Sequence, residues 1–164
     1  MASKICLVVH RKSANRPEVK EAVQHVRSKG VKLRVRIPWN KKDKPRVVQE
    51  AIADGAKRII VGGGDGTINA VVNALVGKGK KPPPVSLGIL PLGTANDFAY
   101  GCDLPLKDLN RCLEIACTSK PRKIDVGRGN TRNFVNTSSG GFGAEITATA
   151  PVDLKKKLGG GAYT

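Results

Sequence analysis

Two rhythms of apolar and polar positions run along this chain. KICLVV (4–9) is a short, continuous, β-branched run, the pattern of a buried strand. Pro17 then opens a helical stretch in which Val19, Ala22, Val23 and Val26 recur at i, i+3, i+4 and i+7, and Gly30 closes it. VKLRVRI (31–37) alternates apolar and basic residues, as a strand with one wet face does. A second helix follows Pro45, with Val47, Val48, Ala51 and Ile52 on one side and Gly55 as its stop. KRIIV (57–61) predicts a third strand, VGGGDGTINAVVNALVG (61–77) a glycine loop running into a third helix, and KGKKPPP (78–84) a solvated break. VSLGIL (85–90) predicts a fourth strand, PLGTANDFAYG a second unusual loop, and Leu109, Cys112, Leu113 and Ala116 a fourth helix.

Strand and helix thus alternate at least four times. That order predicts an α/β fold: a three-layer, Rossmann-like parallel sheet flanked by helices and joined by right-handed crossovers. Such sheets take ligands at the carboxyl ends of their strands. The loops after Val61 and Leu90 both lie there and are expected to share one crevice. After Pro121 the rhythm changes. KIDVGRGN and RNFVNTSSG read as two strands joined by a Gly-Asn turn, a hairpin and not another βα unit. Residues 1–120 are therefore expected to form the α/β domain, and 121–164 the entry into a second, β-rich domain that stops incomplete. No internal repeat is visible.

Composition narrows the partners. The 164 residues suffice for one domain with a sizeable core, and 40% hydrophobic content reads as globular. Lys+Arg 29 against Asp+Glu 13 leaves a net +16, which favours anionic partners: nucleotides, nucleic acid or acidic membrane surfaces. Aromatic residues at 4% argue against a base-stacking platform, so nucleic acid is not the expected partner. Cys6, Cys102, Cys112 and Cys117 form no CxxC pair and have no histidine at ligand spacing, so no metal-ligating set is expected and buried free thiols are. The apolar run before His10 is too short for a signal-peptide core, and no stretch approaches the roughly 20 apolar residues of a spanning helix. A cytoplasmic protein touching membranes from outside is the expectation.

The glycine loop fits neither familiar phosphate fingerprint. A G-x-G-x-x-G reading from Gly62 ends on Thr67 and from Gly64 on Asn69, and Gly77-Lys78 is followed by Gly79 where a Walker loop needs Ser or Thr. Its chemistry still points to phosphate. Gly62, Gly63 and Gly64 remove side chains where a strand turns into a helix, so bare N–H groups and the helix dipole from Thr67 onward can meet an anion. Thr67 and Asn69 either cap that helix or contact the ligand. Asp65 needs a reason to face a phosphate: a Mg²⁺ ion between them, or a proton accepted from an attacking hydroxyl. Both belong to phosphoryl transfer. In the second loop Pro91 fixes the strand exit, Gly93 allows close approach and Thr94 offers a hydroxyl at a helix start; Asn96 and Asp97 either orient an acceptor hydroxyl or cap the short helix. His10 reads as structural, and Asp125 as a turn or sheet residue of the hairpin.

Together, GGGDGTIN and LGILPLGTANDFA (87–99), about thirty residues apart, resemble the bacterial lipid kinases of the diacylglycerol kinase family, the YegS-like branch in particular. The second block carries most of the specificity, since GGDG alone also occurs in phosphofructokinases and NAD kinases. NTSSGGFGAEIT (136–147) is similar to the segment entering the family's second domain. The resemblance implies an NAD kinase/diacylglycerol kinase-like fold and an enzyme passing the γ-phosphate of ATP to a lipid hydroxyl, with Mg²⁺. It implies a nucleotide site at Gly64, Asp65, Gly66, Thr67, Ile68, Asn69 and Ala70, joined by Thr94. The acceptor would be diacylglycerol, phosphatidylglycerol or a similar lipid of phospholipid biosynthesis. Three departures matter. Ala70 stands where relatives often have Glu, and the first βα loop reads His10-Arg11-Lys12-Ser13, leaving Lys12 and Ser13 as phosphate contacts. Pro38 replaces a threonine contact. In the family further magnesium-binding groups and an acidic base lie downstream of Thr164, whereas in sphingosine kinases the loop acid, here Asp65, is the proposed base. The 164 residues alone are thus expected to bind nucleotide weakly and transfer little phosphate. The alternatives are an NAD kinase-like enzyme, a non-catalytic nucleotide-binding relic, or a basic nucleic-acid module.

Overall fold

A computed structural model describes residues 5–76, 83–129 and 132–136. The chain opens with strand β1 (Ile5–Val9), the short helix α1 (Arg11–Ala14) and helix α2 (Pro17–Ser28). Then come β2 (Leu33–Arg36), a 3-10 turn (Lys41–Asp43), α3 (Lys44–Ala53), β3 (Arg58–Gly63) and α4 (Asp65–Val76). β4 (Ser86–Pro91) leads to α5 (Asp97–Gly101) and α6 (Leu109–Thr118), and a hairpin, β5 (Gly127–Gly129) and β6 (Arg132–Phe134), follows.

The first four strands form one parallel sheet in the order β2-β1-β3-β4, the α/β architecture that the alternation predicts. From β1 the chain winds outward to β2, then returns across β1 to β3. The winding direction reverses between β1 and β3, and in open α/β sheets the ligand crevice lies outside the carboxyl ends at that point.

Strand side chains alternate between two apolar layers. Leu7, Val9, Ile60 and Leu90 pack with Val19, Ala22 and Val26 of α2 and Cys112 and Leu113 of α6. Cys6, Val8, Ile59 and Val61 pack with Val47 and Val48 of α3, Ile68 and Val71 of α4 and Ala99 of α5. Fully burying each Leu, Ile or Val contributes about 1.5–3 kcal/mol, which anchors the strand ends that carry the site. The predicted helix stops hold: Gly30 and Gly55 take φ of +82° and +80°, where only glycine is unstrained. Arg58 braces the far side. Its guanidinium donates to the carbonyls of Ala116 (3.0 Å), Cys117 (2.5 Å) and Ser119 (2.8 Å), the exposed acceptors at the end of α6.

Several boundaries differ from the sequence pattern. β3 runs on through Gly62 and Gly63, which pair with Leu90 and Pro91 of β4, so both are sheet residues and not loop. α4 begins at Asp65, two residues before the expected Thr67, so neither Thr67 nor Asn69 caps it. α1 occupies what reads as plain loop. The hairpin forms, pairing Gly127 with Phe134 and Gly129 with Arg132, but its strands are shorter than expected and Asp125 sits exposed before β5. β6 is tied to α4: the Asn73 amide donates to the Asn133 carbonyl (2.7 Å) and accepts from the Asn133 N–H (2.9 Å). Most of the 78–84 break, Asn130 of the expected turn and residues 137–164 lie outside the described residues.

Candidate functional site

The glycines after Val61 are there for different reasons. A Cβ on Gly62 would stand 2.9 Å from Val9 Cγ2, and one on Gly63 would stand 2.6 Å from Thr67 Cβ. Both residues are buried, and the packing of β1 and α4 accounts for their missing side chains. At Gly64 the chain leaves the sheet, and a Cβ there would lie 2.8 Å from the Cα of Gly93. The two loops therefore touch backbone to backbone, as their shared position at the carboxyl edge predicts. Gly66 is the exception. It is exposed in the first turn of α4, and among the described residues a Cβ on it would meet nothing within 4 Å.

Asp65 does not cap its own helix. Its Oδ1 accepts from the Phe98 N–H at 2.9 Å and its Oδ2 from the Asp97 N–H at 3.3 Å, so it caps α5, which has no side-chain cap of its own. The Asn136 amide approaches Oδ1 at 3.5 Å. Asn96 resolves as a loop-closing residue: its Oδ1 accepts from the Gly93 N–H (2.8 Å) and its Nδ2 donates to the Gly93 carbonyl (3.0 Å). Its φ of 56° is a left-handed conformation that asparagine tolerates better than most residues. Asp97 is exposed at the start of α5.

These contacts frame a cleft of about 400 Å³ lined by Lys44, Gly64, Asp65, Gly66, Thr67 and Thr94, within the size range of small-ligand sites. A separate cavity beneath β1 and β2, lined by Cys6, Arg34 and Asp54 among others, has room for only about 10 Å³ and can hold at most a water. Of the residues expected at the nucleotide, Gly64, Asp65, Gly66, Thr67 and Thr94 meet in the cleft. Ile68 turns its side chain into the core at 1% exposure, and Ala70 lies farther along α4. Asn69 leaves its Oδ1 buried without a hydrogen-bond partner, one turn beyond the cleft residues. Lys12 and Ser13 lie on α1 at the carboxyl end of β1, outside the cleft lining. His10 caps α1 through Nδ1, which accepts from the Lys12 N–H at 3.3 Å, in keeping with its structural reading.

Lys44 is the residue that sequence reasoning missed. In NKKDKPR it reads as one of several solvated cations, yet it is 8% exposed, and its Nζ lies 3.3 Å from Thr67 Oγ1. Its local sequence carries no signal of this burial. None of the described cysteines lines the cleft; burial pushes the Cys112 and Cys117 thiols up to about 11, and Cys6 and Cys102 are raised for the same reason. Among the described residues no helix is long and apolar enough to cross a membrane.

Comparison with known proteins follows the same line. The diacylglycerol kinase catalytic domain family matches residues 4–129. A protein of Chromohalobacter salexigens named "Probable lipid kinase YegS-like" is 48% identical over 158 residues, covering 96% of this chain and 50% of the relative. One of the same name from Klebsiella pneumoniae is 44% identical over 158 residues, covering 96% and 52%. The chain thus spans about half the length of these curated relatives. A crystal structure of a diacylglycerol kinase from Bacillus anthracis superposes with a TM-score of 0.65 at 24% identity, covering 80% of this chain and 48% of that one. At that identity the likeness speaks for the fold.

Proposed function

The chain belongs to the diacylglycerol kinase catalytic domain family, and from that premise we propose that it forms the nucleotide-binding half of an ATP-dependent lipid kinase. The carrying observation is Gly66. A glycine in a helical first turn is less stable than alanine by about 0.5–1 kcal/mol. Among the described residues nothing occupies the space its side chain would take. The empty volume opens into the cleft, beside N–H groups of a helix start that have no helical partner. A phosphate laid against that backbone explains the glycine, and the geometry of the cleft fits the group.

In this reading the triphosphate enters over Gly64–Thr67, with Thr94 reaching it from the second loop. Asp65 holds α5, and with it the second loop, against the first. Its carboxylate also lines the cleft and is the group there that would hold a Mg²⁺ ion, whose chemistry would be to neutralise charge during phosphoryl transfer. The acceptor is a lipid hydroxyl, from diacylglycerol, phosphatidylglycerol or a similar lipid. The chain's basic surface, net +16, suits an anionic bilayer approached from the cytoplasmic side. Residues 121–164 begin the second domain. Because the chain spans about half of its relatives, transfer to lipid is proposed as the activity of the whole protein and nucleotide binding as that of the described residues.

The test is calorimetric titration of the chain with ATP–Mg²⁺, beside a radiolabelled-ATP assay on mixed diacylglycerol and phosphatidylglycerol vesicles with the chain extended to the length of its relatives. Saturable ATP binding and labelled phospholipid are expected. Absence of ATP binding at millimolar nucleotide overturns the reading.

A further inference from the structure

Resting on that reading, we propose that Trp39, with cations on the same edge of the sheet, docks the cleft side of the molecule onto an anionic bilayer. Trp39 is the sole tryptophan of the chain. It is 85% exposed, and Ile37, two residues before it, is 46% exposed. Scattered apolar residues on a surface are ordinary. An indole held out in water by a fixed backbone is not. Pro38, between the two, is buried, and the Trp39 N–H donates to Asp43 Oδ2 at 3.2 Å. Asn40 Oδ1 accepts from the N–H groups of Lys42 (2.9 Å) and Asp43 (3.1 Å), which closes the turn that follows. An ordered turn therefore presents the ring, and little backbone freedom is left to lose on docking.

Place and charge select the occupant. Trp39 lies just past the carboxyl end of β2, the outermost strand of the parallel sheet, so it shares an edge with the cleft. Arg11 and Lys12 stand exposed on α1, past the end of the neighbouring β1, and Lys42 is exposed three residues beyond the indole. Asp43, the acid of the same turn, is met by the Arg46 guanidinium at 2.6 and 2.9 Å, so its charge is offset. An amphipathic ring with cations beside it matches the headgroup layer of an anionic bilayer, where tryptophan concentrates and basic residues are attracted. An apolar anchor combined with basic residues holds a protein at a membrane without a spanning helix. Docked this way, the cleft edge would meet the surface that carries a lipid acceptor.

The test follows tryptophan emission and sedimentation of the chain with two kinds of vesicle, phosphatidylcholine alone and phosphatidylcholine mixed with phosphatidylglycerol, in wild type, Trp39→Ala and Trp39→Phe. Wild-type emission is expected to move to shorter wavelength on the mixed vesicles, and the chain to sediment with them, less so as salt rises. Trp39→Ala should lose vesicle affinity by roughly ten- to a hundredfold, and Trp39→Phe by less. The indole lies outside the cleft lining, so Trp39→Ala should bind ATP–Mg²⁺ in calorimetry as wild type does. Unmoved emission, equal binding to both kinds of vesicle, or wild-type sedimentation of Trp39→Ala overturns the inference. So does an emission shift produced by ATP–Mg²⁺ with loss of ATP affinity in Trp39→Ala, which would make the indole a base contact. A shift that grows with protein concentration alone overturns it too, in favour of a contact between copies. Wild type that docks on vesicles yet binds no ATP removes the kinase reading and leaves the docking surface standing.

Discussion

Replacing Gly66 with alanine sets stability against binding, and the two responses carry opposite signs. Among the described residues the added Cβ meets no atom within 4 Å, so it introduces no clash with them. Exchange of glycine for alanine in a helix gains about 0.5–1 kcal/mol. For a chain of this size each kcal/mol moves the melting temperature by about 2–4 °C, so the unliganded variant should melt about 1–4 °C higher. Binding should move the other way. The methyl group occupies the surface that bare backbone offers to phosphate, and losing hydrogen bonds to a charged group removes about 1.5–3 kcal/mol. The assay is thermal unfolding across an ATP–Mg²⁺ titration. At a hundredfold excess over its Kd, ATP stabilises wild type by about 2.7 kcal/mol; the variant should lose most of that shift. A variant that melts higher and keeps the whole ATP shift refutes the reasoning, because the bare backbone would then serve no ligand. Gly64→Ala is the control. Its Cβ would lie 2.8 Å from Gly93 Cα, so it should destabilise the unliganded chain by about 1–3 kcal/mol.

Asp65→Ala should loosen α5 by about 0.5–2 kcal/mol, the usual effect of losing a cap, and accelerate amide hydrogen exchange at Asp97 and Phe98; unchanged exchange there would exclude the cap role. Arg58→Lys keeps the charge but loses the fork that reaches three carbonyls of the α6 end, so urea denaturation should report a loss of about 1–3 kcal/mol. A change below a few tenths would show that charge alone suffices there. The buried thiols give a pH dependence. Cys112 and Cys117 ionise near 11 in the folded chain against 9.0 in the unfolded one, so the unfolded state sheds protons first. Their contribution is constant below pH 9 and falls between 9 and 11. Unfolding midpoints across that window should decline less steeply in Cys112→Ala than in wild type, and identical slopes would argue against it.

What the sequence discloses divides along a physical line. Features set by local periodicity were readable: the i, i+3, i+4, i+7 run of α2, the wet alternation of β2, and the glycine stops at residues 30 and 55. The family motifs likewise place Gly64–Thr67 and Thr94 in one cleft. What escaped depends on distant partners. Gly62 and Gly63 look like loop because composition favours it, yet pairing with β4 holds them in the sheet. Asp65 serves a helix thirty-two residues further on, which no spacing rule proposes. Lys44 hides in a basic run, because burial is decided by where α3 meets α4 and not by its neighbours in the chain.

The meeting of Gly64 with Gly93 also restricts how this region can change over generations. A clash between two side chains is commonly relieved by trimming the partner. Here each α-carbon already faces a residue with nothing to trim: a Cβ on Gly93 would sit 2.5 Å from Gly64 Cα, and the reciprocal approach is 2.8 Å. A suppressor screen begun from a substitution at either position should therefore return revertants, or changes that shift main chain elsewhere, and no compensating replacement at the opposite glycine.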